Sequence, residues 1–546
     1  MDDGTAAEVE VLIAGAGPVG LALALELQRF GIRFRIVEKK AERSTTSKAL
    51  GLQPRLSEVF AILGIAGKFF ARGFDGVRAL NLNSRAKKLL RIEIQFPPNL
   101  AESDAFQPRL IMIPQSATEE ILETTLAERG HVVERLRELI GFSQVRDCVS
   151  AVIRHEGGVE ETIRAKFLVS CEGAHSVVRK QAGLNFTGAT FPLRSLLADV
   201  TIDWDLPDNE VQAWFHRDGS IAALPFGGQK WRLIAECAED PNETAPEVTL
   251  EQMQELIVAR TGKKNVRVRD PLWLSDFRIN ARMVDRFREQ RVFVAGDAAH
   301  IHSPAGGQGI ATGIQDATNL AWKLAAVLRE GASDSLLDTY NEEREPIARE
   351  VLHRTSAVTN IIFAMNPIAG FVRERLLVPI LRQPFVQRRM FAKLSQLEMN
   401  YRGRSLAVQV DAPFSRLRVG AGDRTPDVVF ENAGEKTSLF QLIGRYGMIA
   451  LLGPGKTNRQ IAGALSALHI PAFIVLPNGA EIPSGECLAD RSEDFARLYG
   501  AKGPFLYLIR PDGHVGLFQR RPEASSLATY LKKIRAAEAV EKSFAP

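Results

Sequence analysis

Two glycine clusters carry the residues whose types and spacing could do chemistry. In the first, the apolar run Val9–Ala14 leads directly into Gly15-Ala16-Gly17-Pro18-Val19-Gly20, a helical pattern follows to Arg29, and a second strand, Phe34–Val37, ends at Glu38 with Lys39 beside it. A G-x-G-x-x-G turn between strand and helix, with an acid about 20 positions further on, is the arrangement that binds a dinucleotide. Gly15 allows the tight turn, Gly17 lets the backbone approach a pyrophosphate, and Gly20 permits close packing of helix on sheet. Pro18 suits the first helical turn, and the helix amino terminus faces the phosphates. Glu38 accepts from ribose hydroxyls. Nothing in this motif separates FAD from NAD.

The second cluster lies far downstream. Arg291–Ala295 reads as a buried strand running into Gly296-Asp297-Ala298-Ala299-His300, and Ser303-Pro304-Ala305-Gly306-Gly307-Gln308-Gly309 then opens a helix from Ile310 to Arg329. Asp297, an acid at the carboxyl end of a strand, sits where ligands enter an α/β sheet, and it can hold the hydroxyls of a ribityl chain. Glycines at 306, 307 and 309 let backbone N–H groups reach a flat ring, with Pro304, Ile310 and Ala311 around it. The positive end of the following helix would stabilise a reduced flavin anion. His300 and His302 read as hydrogen-bonded fillers and receive no acid–base role.

These clusters need a large frame. At ~150 residues per domain, 546 residues predict three or four units. A chain that is 45% hydrophobic and 25% charged supplies real cores, so disorder is excluded. Lys and Arg total 69 against 65 acids, and a net charge of +4 is too small for a dedicated nucleic-acid binder. Cys148, Cys171, Cys237 and Cys487 have neither C-x-x-C nor zinc spacing, which argues for a reducing compartment. The apolar stretch Val11–Leu27 follows Asp2, Asp3, Glu8 and Glu10 and is no secretory signal, and Ile361–Val372 is broken by Asn366 and Pro367. No transmembrane segment is expected, and the cytoplasm is the expected location.

Between the clusters, Val211–Phe215, Ser220–Phe226 and Lys230–Ala235 alternate as strands, with turn signals at Asp218-Gly219 and Gly227-Gly228, and Leu89–Phe96 offers another strand. The pattern predicts an antiparallel sheet whose Trp214, Phe215, His216, Leu224 and Phe226 could line a pocket or simply fill a core. From about Val419 the order becomes helix near Leu439, strand Gly447–Leu452, helix Gln460–Leu468, strand Ala472–Leu476, then a closing strand and turn, Phe505–Val515.

Taken together, Gly15–Gly20 with Glu38, the Gly296–Gly309 segment, Asp316–Leu324, and Leu337–Tyr340 through Glu343-Arg344 resemble the class A FAD-dependent aromatic hydroxylases. The similarity runs in order along nearly the whole chain. It is strongest to the branch that includes phenol hydroxylase, pentachlorophenol monooxygenase and the polyketide hydroxylases. The resemblance implies an α/β fold: a Rossmann-like FAD-binding domain over residues 1–185, with a substrate-domain strand near 88–112, and an inserted antiparallel β-sheet substrate domain over 186–280. The FAD domain would resume with a helical region over 281–415, and a C-terminal thioredoxin-like domain would fill 420–546. That last unit lacks C-x-x-C, so its role is packing or oligomerisation, and a homodimer is one assembly it allows.

By the same resemblance the cofactors are FAD, with NADPH or NADH as reductant, and the partners are O2 and an aromatic small-molecule substrate. Reduced flavin would capture O2 as a C4a-hydroperoxide whose distal oxygen attacks an electron-rich ring. A third segment, Glu172-Gly173 through Arg179, matches a family strand end that serves both FAD and the nicotinamide, although the family has Asp where this chain has Glu172. Gln115 matches a glutamine that approaches the ribityl and phosphate region. Ala311 replaces a usual Asn. Leu50 stands where phenol hydroxylase has its Asp base, which leaves His216 and Arg232 as candidates to activate the substrate, the latter by stabilising phenolate charge. The G-W-x-W-x-I-P signature of flavin halogenases is absent. Two other readings stay open: a flavin-binding protein or NAD(P)H oxidase without productive hydroxylation, and a hydroxylase of a large multi-ring compound.

Overall fold

A computed structural model of the chain describes residues 8–44, 49–84, 87–94, 105–145, 147–238, 247–304, 306–362, 373–411, 418–432, 434–480 and 486–544. The apolar stretch Ile361–Val372 lies almost wholly outside them, as does the end of the expected strand Leu89–Phe96. The first sheet is parallel at its centre. Phe34–Glu38, Glu8–Ala14, Glu160–Ser170 and Val292–Val294 lie side by side in that order, so four segments distant in sequence bring their carboxyl ends to one edge. Such strands are covered on both faces and read as continuous apolar runs; Val11, Leu12 and Ile13 have no exposed surface. The helices Pro18–Arg29 and Gly309–Arg329 pack against each other on one face.

An eight-stranded second sheet is inserted into this frame. Its order is His300–Ile301, Arg267–Val284, Phe186–Asp203, Lys230–Ala238, Ile221–Pro225, Glu210–Phe215, Ala79–Ser84 and Lys87–Glu93. The strands expected from alternation are present, and Ala79–Ser84, which the alternation did not reveal, pairs in parallel with Glu210–Phe215. The helix Leu250–Thr261 closes one face with Met253 and Ile257 against Leu196, Trp214 and Leu233. The opposite face looks toward the FAD frame. His300–Ile301, from the second glycine cluster, forms the sheet's edge by pairing with Arg282 and Met283, so sheet and cluster are one continuous structure.

The third sheet is mixed. Ile449–Leu452 runs parallel to Ala472–Leu476 and antiparallel to Leu506–Ile509, which in turn pairs antiparallel with Val515–Gln519. That order agrees with a thioredoxin-like unit. It sits tightly on the FAD frame: a Cβ on Gly444 would stand 2.3 Å from the Ile62 carbonyl oxygen, and Arg29 donates to the Ile443 carbonyl at 3.0 Å.

Candidate active site

The first glycine turn has the geometry its sequence predicts. Gly15 holds φ +100°, and a Cβ there would meet the Cys171 carbonyl oxygen at 2.5 Å, so only glycine fits. A Cβ on Gly20 would stand 2.0 Å from the Gly15 carbonyl oxygen, the close helix–strand approach in numbers. Gly17 is different: nothing lies within 4 Å of its Cβ position. Pro18 begins the helix. Glu38, at the end of its strand, accepts from the Ala16 N–H at 2.9 Å and the Lys40 N–H at 3.1 Å, while Lys39 is exposed. Just beyond Glu38 a cleft of 610 Å³ opens, with Arg43, Arg72, Arg135, Ser116 and Glu120 among its lining. Gln115 starts the helix Gln115–Glu128 next to this cleft and donates to Glu119 at 2.8 Å.

The second cluster forms a cradle above the same sheet edge. Gly296 is buried at the end of Val292–Val294, whereas Asp297 is exposed there, and Pro304, Gly306 and Gly307 are exposed in the loop that follows. Gln53, a residue the sequence did not single out, donates to the Gly306 carbonyl at 2.7 Å. Gly309 and Ile310 open the long helix half-buried, and Ala311 is buried. These residues fit FAD: an open side at Gly17 admits a phosphate, Asp297 presents its carboxylate at the strand end, and the loop offers bare backbone to a ring. His302 is held neutral, pushed down to about 3 by burial and then by His300 beside it. An acid–base role is not what its surroundings support.

Beneath the cradle lies a set of buried charges. Asp316 accepts from the Gly296 N–H at 3.1 Å, from His300 Nε2 at 2.8 Å and from Arg344 Nε at 2.8 Å. Burial alone would raise its carboxyl, but Arg344 and His300 outweigh burial and hold it low. Arg344 also donates to Tyr401 and to the Thr312 carbonyl. Next along the helix, Glu343 accepts from Lys323 at 2.7 Å, Asn319 at 2.8 Å and, from the third sheet, Arg510 at 2.6 Å. The motif Asp316–Leu324 and the pair Glu343-Arg344 thus acquire a physical reason. A helix buried from Ala311 through Ala326 can carry Asp316, Asn319 and Lys323 only if each is paired.

The remaining candidates separate. Glu172 turns its carboxylate onto its own loop, accepting from Ser170 at 2.8 Å, Ser176 at 2.7 Å and the Val178 N–H at 3.1 Å. Gly173 leaves open space where a Cβ would be. Arg179 donates to the Ala174 and Ala298 carbonyls and stacks on Phe186, so it braces the Glu172 loop against the Asp297 loop. His216 does not reach the cradle. It lies in the turn after Glu210–Phe215, at the opposite end of the sheet from the Phe226–Lys230 hairpin that meets the FAD frame, and its Nδ1 accepts from the Asp218 N–H at 3.2 Å. Arg232 is buried with its Nε and Nη2 both on Asp199 at 2.7 Å, so its charge is already balanced. Leu50 occupies the junction: its carbonyl oxygen lies 3.9 Å from the Cβ position of Gly307, and its side chain packs in one cluster with Met112, Val77 and Leu224. Among the described residues no carboxylate stands at that point.

A parallel sheet bearing a dinucleotide turn, an acid-terminated strand and a glycine cradle, with an inserted antiparallel sheet facing it, defines a flavoprotein of the aromatic-hydroxylase class. Comparison with known proteins agrees. Residues 8–355 match the FAD binding domain family, and the chain belongs to it. It is 36% identical over 522 residues to a flavin-dependent monooxygenase of Mycobacteroides abscessus, covering 93% of this chain and 96% of that one. It is 32% identical over 544 residues to a 6-methylpretetramide 4-monooxygenase of Streptomyces rimosus, covering 96% and 93%. Among solved structures, aklavinone-11 hydroxylase in complex with FAD and aklavinone superposes with a TM-score of 0.78 at 26% identity over the whole of both chains.

Proposed function

We propose that this protein hydroxylates a phenolic or other electron-rich aromatic small molecule with O2, using bound FAD and NADPH or NADH as reductant. The observation that carries the reading is the junction at Leu50, whose backbone carbonyl borders the flavin cradle and whose side chain packs with the near end of the inserted sheet. Bound FAD supplies hydride acceptance and oxygen activation. The chain's residues do the rest. Gly15, Gly17 and Gly20 with the following helix hold the pyrophosphate, Glu38 and Asp297 take the ribose and ribityl hydroxyls, and the amino terminus of Gly309–Arg329 points its positive end at the ring.

Water exclusion falls to Leu50, Leu224, Val211 and Phe226, which pack together at the sheet's near end. Glu172 and Arg179 position loops. With leucine at position 50, no carboxylate among the described residues adjoins the cradle there, which favours a substrate that enters already nucleophilic or gives its proton to water. Arg232 contributes through its pair with Asp199, as an oriented dipole and not as a bare cation. His216 has no part in proton transfer at the ring.

The test is direct. Purified protein should be yellow, and candidate phenols should accelerate NAD(P)H oxidation with a matching amount of hydroxylated product. A colourless protein unable to take up FAD, or oxidation that yields hydrogen peroxide alone with every phenol tried, would defeat the proposal.

A further inference from the structure

The open face of the inserted sheet carries a second polar group that the reaction as described does not use. Strand register sorts that face into rows. Leu224 lies opposite Arg232, which lies opposite Asp199; Ala222 lies opposite Ile234, which lies opposite Leu197; and Glu236 lies opposite Ser195. Residues directly opposite in an antiparallel pair share a face, so these rows stack away from the helix Leu250–Thr261. On the two outer strands burial alternates accordingly: Ile221 and Ala223, on the helix side, are buried, whereas Ala222, Leu224 and Ala213 remain partly accessible, and so does Ile234 next to them; Leu197, Asp199 and Arg232 on the same face are buried. The accessible part of the face is therefore an apolar strip of Ala213, Ala222, Leu224 and Ile234, and it begins at Leu224, in the same cluster as Leu50 below the cradle.

Glu236 closes the far end of that strip. It is 1% exposed, its Oε2 accepts from Ser195 Oγ at 2.7 Å, and its Oε1 is buried without any hydrogen-bond partner. An unpaired buried carboxylate oxygen is costly and rare in a native protein. Burial raises its carboxyl to about 7, against the lowering effect of Ser195. Four residues separate Glu236 from Arg232 along one strand, roughly 13 Å at ~3.3 Å per residue. The face thus reads polar, apolar, polar over a span that a single phenol ring cannot bridge.

We propose that Glu236, held by Ser195, is a specificity-determining hydrogen-bond acceptor for a hydroxyl on the remote ring of a fused multi-ring phenol whose reacting ring lies at the cradle. This rests on the aromatic-hydroxylase reading above and names its substrate class. A multi-ring skeleton covers Ala213, Ala222 and Ile234, and its distal hydroxyl satisfies the orphan oxygen. Small single-ring phenols would leave that oxygen unpaired and gain nothing from it.

The experiment uses oxidised FAD-loaded enzyme without turnover, titrated with aklavinone as the multi-ring probe and with phenol as the single-ring probe, binding being read from the change in flavin absorbance. Glu236→Leu should weaken aklavinone binding at least about tenfold, as expected for a lost bond to a charged group. Glu236→Gln, which keeps an acceptor oxygen, should restore it to within about threefold, and phenol should respond alike in all forms. FAD content and melting temperature monitor folding; if Glu236→Leu does not fold, Ser195→Ala, which removes only the supporting hydroxyl, should give a smaller loss with the same probe. Equal aklavinone affinity in wild type and in the folded Leu or Ala variant overturns the proposal. So does a wild type that binds phenol but not aklavinone, or neither. Failure of the hydroxylase reading itself looks different: the binding difference persists, but NAD(P)H oxidation yields no hydroxylated aklavinone.

Discussion

Two glycines of the first turn do different work, and paired substitutions separate them. A Cβ at Gly17 meets nothing within 4 Å, and its φ of −75° is open to any residue, so Gly17→Leu adds a side chain to empty space. The apoprotein should keep its stability to within the roughly 0.5–1 kcal/mol that losing a glycine cap costs. That empty space is where the pyrophosphate is expected, so FAD affinity should fall at least about a hundredfold, equivalent to ~2.7 kcal/mol. Gly20→Ala reverses the pattern. Its Cβ would stand 2.0 Å from the Gly15 carbonyl oxygen and 3.3 Å from the Cys171 Cβ, and a backbone oxygen flanked by two strands cannot yield cheaply. Overpacking of this kind costs about 1–3 kcal/mol, seen in the apoprotein before any cofactor is added. The assays are thermal melting of apoprotein and quenching of FAD fluorescence on titration. Undiminished FAD affinity in Gly17→Leu, or a Gly20→Ala apoprotein as stable as wild type, would refute this division of labour.

Further outcomes follow from the buried groups. Asp316→Asn leaves Arg344 without its anion and loosens the Gly296 N–H; a loss of about 3–5 kcal/mol in denaturant unfolding of the holoenzyme is expected, with FAD released early. Glu172→Ala removes the acceptor of the Val178 N–H and of two serine hydroxyls, and should cost about 0.5–2 kcal/mol by the same unfolding measurement, whereas Glu172→Gln should lose less. Glu236 has its folded value raised to about 7 from 4.5, first by burial, so the stability it contributes is full below pH ~4.5 and lost as pH rises through 7. Glu236→Gln should therefore gain on wild type between pH 5 and pH 8, by on the order of 3 kcal/mol in urea midpoints taken across that range, and a pH-independent difference would count against the assignment.

Much of the frame was legible because it is written in local pattern. Val9–Ala14 with its glycine turn, the strand into Gly296-Asp297, the strands Val211–Phe215 and Lys230–Ala235, and the order of elements after Val419 all stand where periodicity and turn residues place them. Ala79–Ser84 was missed. As the parallel partner of Glu210–Phe215 it has no hairpin turn to announce it, and its alternation is weakened by Asn81 and Asn83. The motif Asp316–Leu324 was visible as a pattern without a purpose, since its partners Arg344, Glu343 and Asp512 come from elements up to 193 positions away.

By itself, then, the sequence determined the dinucleotide turn and the cradle, because those depend on dihedral preferences and spacing within a few residues, while the class of chemistry came from the resemblance of the whole motif order to a known family. Tertiary structure decided which side chains meet. It tied Arg232 to Asp199 and so took away its free charge, carried His216 to the wrong end of the sheet, turned Glu172 onto its own loop, and set Glu236 beside Ser195 with one oxygen unspent. The pairing of Arg232 with Asp199 and of Glu236 with Ser195 follows from strand register. A shift of one residue exchanges the faces of a strand, and register is settled by the packing of whole sheets, which no local stretch of residues encodes.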